Sequence, residues 1–448
     1  MSLFQRFSFQ NSAELLERAG QLGIDIPFTE DISVLFEKKS VASRILPNRF
    51  AVHPMEGFDS HTDGSPSDRV FRRYLRYAAG GSGLIWFEAA SVVPEGKSNA
   101  HQMMLTGANL GQFRQLLKKI KNSARQNFGP NHDLFCVLQL THSGRFSKPD
   151  GIPKPQAAGR IPQLDGDEFS IQILTDAELD FLQGQFVESA KLAYSAGFDA
   201  VDIKACHGYL VNDLLASFTR SNSKYGGSFS NRTRFLLETA QKIHSEIPDL
   251  MLSVRLNMYD GLRHPHGFGV SSDGSLDVDL KEPIQLIERL VENGCSLLNL
   301  TLGNPFKKPH LGRPFDRPLV LSQVPGEHPL KGVGRLLLHT ARIQKLFSQI
   351  PVVGTGYSWL RQYFPQVGAA AVKKGEVSFV GLGRSSFAYP DAPKDLMETG
   401  RLDRKKVCVT CSCCSELLRA GYPTGCVIRD KTIYAKEYND HFGKGRRR

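Results

Sequence analysis

Lys204, His207 and Tyr209 stand together in the stretch KACHGYL, where the apolar run FDAVDI gives way to the helix-like VNDLLASF. An ammonium, an imidazole and a phenol gathered at a strand end can polarise a carbonyl oxygen and deliver a proton. Arg255 lies inside the apolar run LSVRL, and a buried guanidinium needs an anionic or strongly accepting partner. Together with Gln139 it suits the carbonyl-rich edge of a redox ring, whose reduced form is anionic. Two glycine loops, GTGYS with Gly354 and Gly356 and GLGRSS with Gly383 and Arg384, offer bare backbone N–H groups and a fixed cation to a phosphate. Near the end, Cys408, Cys411 and Cys414 follow one another with two residues between each, and Cys426 returns after eleven intervening residues. Four soft ligands at that spacing suit Zn²⁺ or a [4Fe–4S] cluster, with Cys413 an adjacent competitor for the third position.

Such residues act together only if the chain brings strand ends to one place. Short apolar runs at 49–54, 84–89, 134–140, 200–204, 252–256, 296–301, 351–355 and 377–382 alternate with amphipathic stretches such as 110–126, 176–197, 231–247 and 282–294. Repeated βα units of this kind predict an α/β fold, a (β/α)₈ TIM barrel, with a short cysteine-rich segment after it. No GxGxxG enters a helix, which argues against a dinucleotide-binding open sheet. The expected division is an N-terminal arm over 1–44, the barrel over 45–397, and the cysteine-rich segment with a basic tail over 398–448. In a barrel the C-terminal strand ends converge on one mouth. They bring Met55, Glu56, Ala89, Gln139, Lys204, His207, Tyr209, Arg255, Gly354, Gly356, Gly383 and Arg384 together.

The 448 residues, 41% of them hydrophobic, can bury a large core. A formal charge of +11 is spread through helix-like segments without a stacking module or basic helix, so anionic small ligands account for it and nucleic acid is not expected. The GKGRRR end reads as a solvated terminus. No apolar run has the length of a signal peptide core or a membrane span, from which a cytoplasmic location is expected.

The segments QLTHSGR (139–145), GFDAVDIKACHGYLVNDLLASF (197–218), YGGSFSNRTRFLLE (225–238), VRLNMYDG (254–261) and VGLGRSSFAYPD (380–391) resemble the Old Yellow Enzyme family of FMN-dependent NADH:flavin oxidoreductases over roughly residues 45–395. The resemblance implies FMN at the barrel mouth and hydride transfer to the C=C bond of an α,β-unsaturated carbonyl compound. By position, Gln139 and Arg255 would contact the isoalloxazine, Ala89 would lie near its reactive edge, and Gly356, Gly383 and Arg384 would hold the phosphate. His207 would be one carbonyl donor and Tyr209 the proton donor. The chain departs from the family in two places: Lys204 stands where a histidine is usual, and Glu56 where a Thr or Cys is common. These opposite charges are expected to form a direct or water-linked pair.

The cysteine segment is similar to the iron-sulfur region of the branch that contains 2,4-dienoyl-CoA reductase and trimethylamine dehydrogenase, which implies a [4Fe–4S] cluster relaying electrons to FMN. The chain is expected to lack the FAD and NAD(P)H domains of that branch. Electrons are therefore expected from a separate donor protein or from NAD(P)H at the mouth. The alternatives are an amine-oxidising or demethylating flavoprotein and a non-catalytic electron-transfer subunit. Assembly is open, with a homo-oligomer among the expectations.

Overall fold

The computed structural model describes residues 3–165, 170–320 and 322–443; the basic tail from 444 onward lies outside them. Eight parallel strands close into a barrel. They are β1 (Phe50–Val52), β2 (Leu84–Ser91), β3 (Phe135–Thr141), β4 (Ala200–Ala205), β5 (Met251–Asn257), β6 (Cys295–Thr301), β7 (Val352–Gly354) and β8 (Phe379–Leu382). Nearly every strand residue is buried, which is why the strands read as continuous apolar runs rather than as alternating ones. All eight strands expected from the sequence are present.

Helices cover the outside: α1 (Ser12–Gln21), α2 (Asp68–Ala79), α3 (Leu110–Phe128), α4 (Asp176–Ala196), α5 (Leu210–Leu215), α6 (Phe229–Glu246), α7 (Lys281–Glu292), α8 (Pro329–Leu346), α9 (Phe364–Lys373) and α10 (Arg384–Ala388). Their ends are written locally. Thr175 and Glu178 form a reciprocal capping box at the start of α4, and Gly197 ends it in the left-handed conformation. No helix among the described residues is long and apolar enough to cross a membrane.

The interior is layered because strand side chains alternate in and out. At the bottom Ala51, Leu84, Trp86, Phe135, Val137, Ala200, Leu297, Val353 and Phe379 pack as one apolar cluster. An antiparallel hairpin, Lys39–Val41 with Arg44–Leu46, closes it from below through Val41 and Leu46. Each such large side chain contributes about 1.5–3 kcal/mol on burial. Further along the same strands the inward positions turn polar: Gln139 on β3 is in register with Asp202 on β4, and Arg255 on β5 with Asn299 on β6. Lys204, one inward step above Asp202, is in register with Arg255. The apolar layer is the floor on which the polar mouth is built.

After the barrel, α11 (Cys413–Ala420) and α12 (Lys431–Phe442) pack around their own cluster of Cys413, Leu417, Val427, Tyr434 and Tyr438. This segment is tied to the barrel. Arg72 and Arg76 of α2 both donate to Asp430 at 2.7 Å, and Thr424 N–H donates to Gly57 C=O at 2.7 Å.

Candidate functional site

Glu56 follows β1 and is held from behind. Glu88 on β2 accepts the Gly57 N–H at 2.7 Å, and Arg73 of α2 bridges Glu88 at 2.8 Å and Asp59 at 2.6 and 2.8 Å. All three charged side chains are buried, and a Cβ on Gly57 would run into the Arg73 guanidinium. The loop that carries Glu56 is therefore fixed by a buried network in which one guanidinium bridges two carboxyl groups.

Into this mouth Lys204 Nζ donates to Glu56 Oε1 at 2.8 Å, so the direct form of the expected pair is found. The Tyr209 hydroxyl donates to the same carboxylate, 3.2 Å from Oε1 and 3.3 Å from Oε2. The ammonium lies 3.6 Å from the centroid of the Tyr209 ring, a cation–π contact. Burial first, and the Glu56 charge second, push the Tyr209 phenol well above its ordinary value; a hydrogen bond from Ser98 opposes them. Tyr209 reaches Glu56 because the chain turns sharply after β4, with His207 at φ 65° and Gly208 at φ 73°. A left-handed histidine costs roughly 1–3 kcal/mol and persists only where its surroundings enforce it. Gly208 is required there, since a Cβ would meet Asn304 Nδ2 at 2.4 Å.

His207 is kept neutral, its pKa pushed well below the usual value by burial and by Arg255, Lys204 and His53. A neutral imidazole keeps one N–H donor and one acceptor. Gln139 Nε2 donates to Asp202 at 2.6 Å, and Asp202 also accepts from Trp86 Nε1 at 2.9 Å and from the Arg255 backbone N–H at 2.5 Å. Burial raises the Asp202 carboxyl to about 6. The Arg255 guanidinium makes no ion pair among the described residues, and its Nε is buried without a hydrogen-bond partner. Such a cation is suited to an acceptor-rich ring edge. Ala89 is fully buried on β2, its carbonyl accepting from Gln102 at 3.0 Å.

The two glycine loops lie at the ends of β7 and β8. Gly356 has φ 102°, and Met55 Sδ lies 3.1 Å from where a Cβ of Gly383 would stand. Arg384 is buried and donates one N–H to Pro314 C=O at 2.6 Å, while its Nη1 is buried without a partner. These features fit an FMN phosphate.

Cys408, Cys411, Cys414 and Cys426 line one cavity with Arg384 and Phe387 from the β8 loop. Burial raises the Cys408 thiol to about 12, with Arg384 opposing. Among the described residues no three Cys, His, Asp or Glu side chains converge closely enough to hold a single metal ion. Cys413 is not on the cavity wall. Its sulfur is buried in the helical cluster and accepts from Arg317 at 3.3 Å.

The profile of the NADH:flavin oxidoreductase / NADH oxidase family matches residues 34–270, over half of the chain. The chain belongs to this family. The resemblance carried by the motifs is thus borne out. NADH oxidase of Thermoanaerobacter brockii is 28% identical over 389 residues, covering 84% of this chain and 52% of that protein. Cinnamate reductase of Clostridium sporogenes is 25% identical over 418 residues, covering 91% of this chain and 59% of the relative. The chain thus spans between half and three fifths of the length of these relatives. A solved 2-naphthoyl-CoA reductase complex shares the fold, with a TM-score of 0.74 at 21% identity over 91% of this chain and 58% of that one.

The mouth also contains residues that sequence reasoning passed over. Ser98 and the Arg73–Glu88–Asp59 network are set by contacts between separate βα units and carry no local signal.

Proposed function

We propose that the protein is an FMN-dependent ene-reductase that reduces the C=C bond of a small α,β-unsaturated carbonyl compound. The observation that carries this reading is the phenol of Tyr209, buried at the mouth with its proton directed at Glu56 and beside the neutral imidazole of His207. Gln139 and Arg255 would hold the ring of FMN, and Gly354, Gly356, Gly383 and Arg384 its phosphate, with Met55, Glu56 and Ala89 around it. FMN, when bound, supplies the hydride that goes to the substrate β-carbon. His207 and an N–H of Lys204 polarise the carbonyl oxygen, and Tyr209 gives its proton to the α-carbon. Charge developing on the oxygen is met by fixed donors in a water-poor pocket, where such donors are worth most. The relative called cinnamate reductase supports an unsaturated carbonyl substrate. Two cations at the mouth, Lys204 and Arg255, disfavour a cationic amine.

The four thiols that line one cavity support a thiolate-bound [4Fe–4S] cluster. The chain then takes electrons from NAD(P)H or from a donor protein. Eight free cysteines support a reducing compartment, the cytoplasm.

The test is turnover of 2-cyclohexenone and cinnamate by FMN-loaded protein with NAD(P)H or a chemical reductant. Tyr209→Phe should lower the rate about 10²–10⁴-fold, the usual worth of a positioned general acid. An undiminished rate rejects the assignment. Iron and acid-labile sulfide should both be present in anaerobically purified protein and should survive Cys413→Ser but not Cys414→Ser; zinc without sulfide rejects the cluster.

A further inference from the structure

The proton that Tyr209 gives away must be replaced before the next turnover, and the phenol is enclosed: Tyr209 is 5% exposed, Glu56 8% and Lys204 4%. One carboxylate oxygen, Glu56 Oε1, lies within hydrogen-bond reach of both the Lys204 ammonium at 2.8 Å and the Tyr209 hydroxyl at 3.2 Å. We propose that Lys204 is the proton reservoir for Tyr209 and that Glu56 Oε1 is the bridge across which the phenol is recharged. The inference rests on the reading of Tyr209 as proton donor and adds the route by which its proton returns.

The step balances without any electron transfer. When the α-carbon has taken its proton, Tyr209 is a phenolate. An Nζ–H bond of Lys204 breaks as an O–H bond forms on Glu56 Oε1; that bond in turn breaks as the phenol O–H reforms. The net change is one ammonium to amine and one phenolate to phenol, made while the pocket is closed, and Lys204 regains its proton from the water that replaces the departing product. Glu56 accepts a hydrogen bond from each partner and serves as the conduit. Burial and the neighbouring carboxylate make the Tyr209 phenolate strongly basic, which draws a proton toward it. The other groups facing this trio are Arg255 from β5, His53 from the end of β1, and Cys206 and His207 from the β4 turn. His53 and His207 are held neutral and Cys206 protonated by burial, so Lys204 and Arg255 are the two cations there. Guanidinium does not release a proton, which leaves Lys204 as the source.

The experiment uses FMN-loaded protein, a cyclic enone and excess reductant in rapid mixing. Wild-type product should accumulate linearly. Lys204→Arg keeps the charge toward Glu56 but cannot surrender a proton, so whatever it costs the first turnover through the altered carbonyl donor, it should give a burst of about one product per FMN followed by a steady rate at least about tenfold below that of the burst. Linear accumulation at the wild-type rate, or a first turnover slowed as much as later ones, overturns the reservoir. Glu56→Gln provides a second arm, needed if the arginine variant does not fold. It should show the same burst. Its Tyr209 phenol, read by ultraviolet difference titration against the Tyr209→Phe double variant without any turnover, should ionise at least about tenfold more readily than in wild type because the adjacent negative charge is gone. An unchanged titration overturns the bridge. If Tyr209→Phe itself reduces the enone at full rate, the proton-donor reading fails; if it is slowed while neither burst appears, only the return route fails.

Discussion

The two ends of the candidate site handle buried charge in opposite ways. Behind Glu56, Arg73 is matched within the chain by Asp59 and Glu88, and Lys204 is matched by Glu56. Arg384 and Arg313, toward the glycine loops and the thiols, and Arg255, in register with Lys204, are cations with no ion-paired carboxylate among the described residues. Burial, with Arg384 and Arg419 nearby, lowers Arg313 to about 9. Charge that the chain balances itself builds rigid geometry, whereas cations that it leaves unmatched are suited to anionic guests: a ring edge, a phosphate, a thiolate-bound cluster. The difference separates the part of the mouth that shapes the chemistry from the part that binds its cofactors.

The comparison breaks most visibly at Arg73. Arg73→Met leaves Asp59 and Glu88 buried without a counter-charge, and removing one partner of such a network costs about 3–5 kcal/mol. A denaturant midpoint should fall accordingly, and the Gly57 N–H bond that fixes Glu56 should loosen with it. An unfolding free energy equal to wild type would show that the network does not hold the mouth. Arg384→Gln should do the reverse, with a smaller effect on folding and a weaker grip on the guest. A lost charge-assisted hydrogen bond is worth about 1.5–3 kcal/mol, or roughly ten- to hundredfold in FMN affinity, measurable by fluorescence quenching on titration of FMN into protein freed of flavin. Equal affinity would place the phosphate elsewhere.

The barrel was legible because parallel strands buried on both faces leave continuous apolar runs. The first run was drawn too long: 49–54 was expected, but only Phe50–Val52 pairs, since His53 and Met55 already belong to the mouth. The hairpin that closes the floor was not foreseen. Its strands are three residues each, too short to show a period. The Lys204–Glu56 pair could be anticipated, because opposite charges at strand ends of a barrel must face one another. That Tyr209 joins the same carboxylate could not, because it depends on backbone angles at His207 and Gly208 that only the packed loops enforce. The separation of Cys413 from the cavity was equally hidden: spacing says which thiols are near, and the start of α11 decides which way each points.

The smallest expected effect concerns His142, which sits beside the polar layer just after β3. It is buried, its Nδ1 accepts the Gly144 N–H at 3.1 Å and its Nε2 has no partner. Burial lowers its pKa from 6.5 to about 4. The folded state therefore binds fewer protons than the unfolded chain between those values. The stability due to the neutral ring is full above about 6.5 and is lost as the pH falls toward 4. His142→Asn keeps an acceptor for Gly144 but carries no titratable ring. Its unfolding free energy should be lower than wild type at pH 7.5 by about 1 kcal/mol, the net worth of packing and one hydrogen bond. That gap should narrow on going to pH 5, where wild type alone pays to keep the ring neutral. A gap that stays constant between the two pH values would mean that His142 is charged in the fold. A buried cation with no carboxylate partner would then lie just after β3, and unmatched charge would no longer mark the cofactor-binding residues alone.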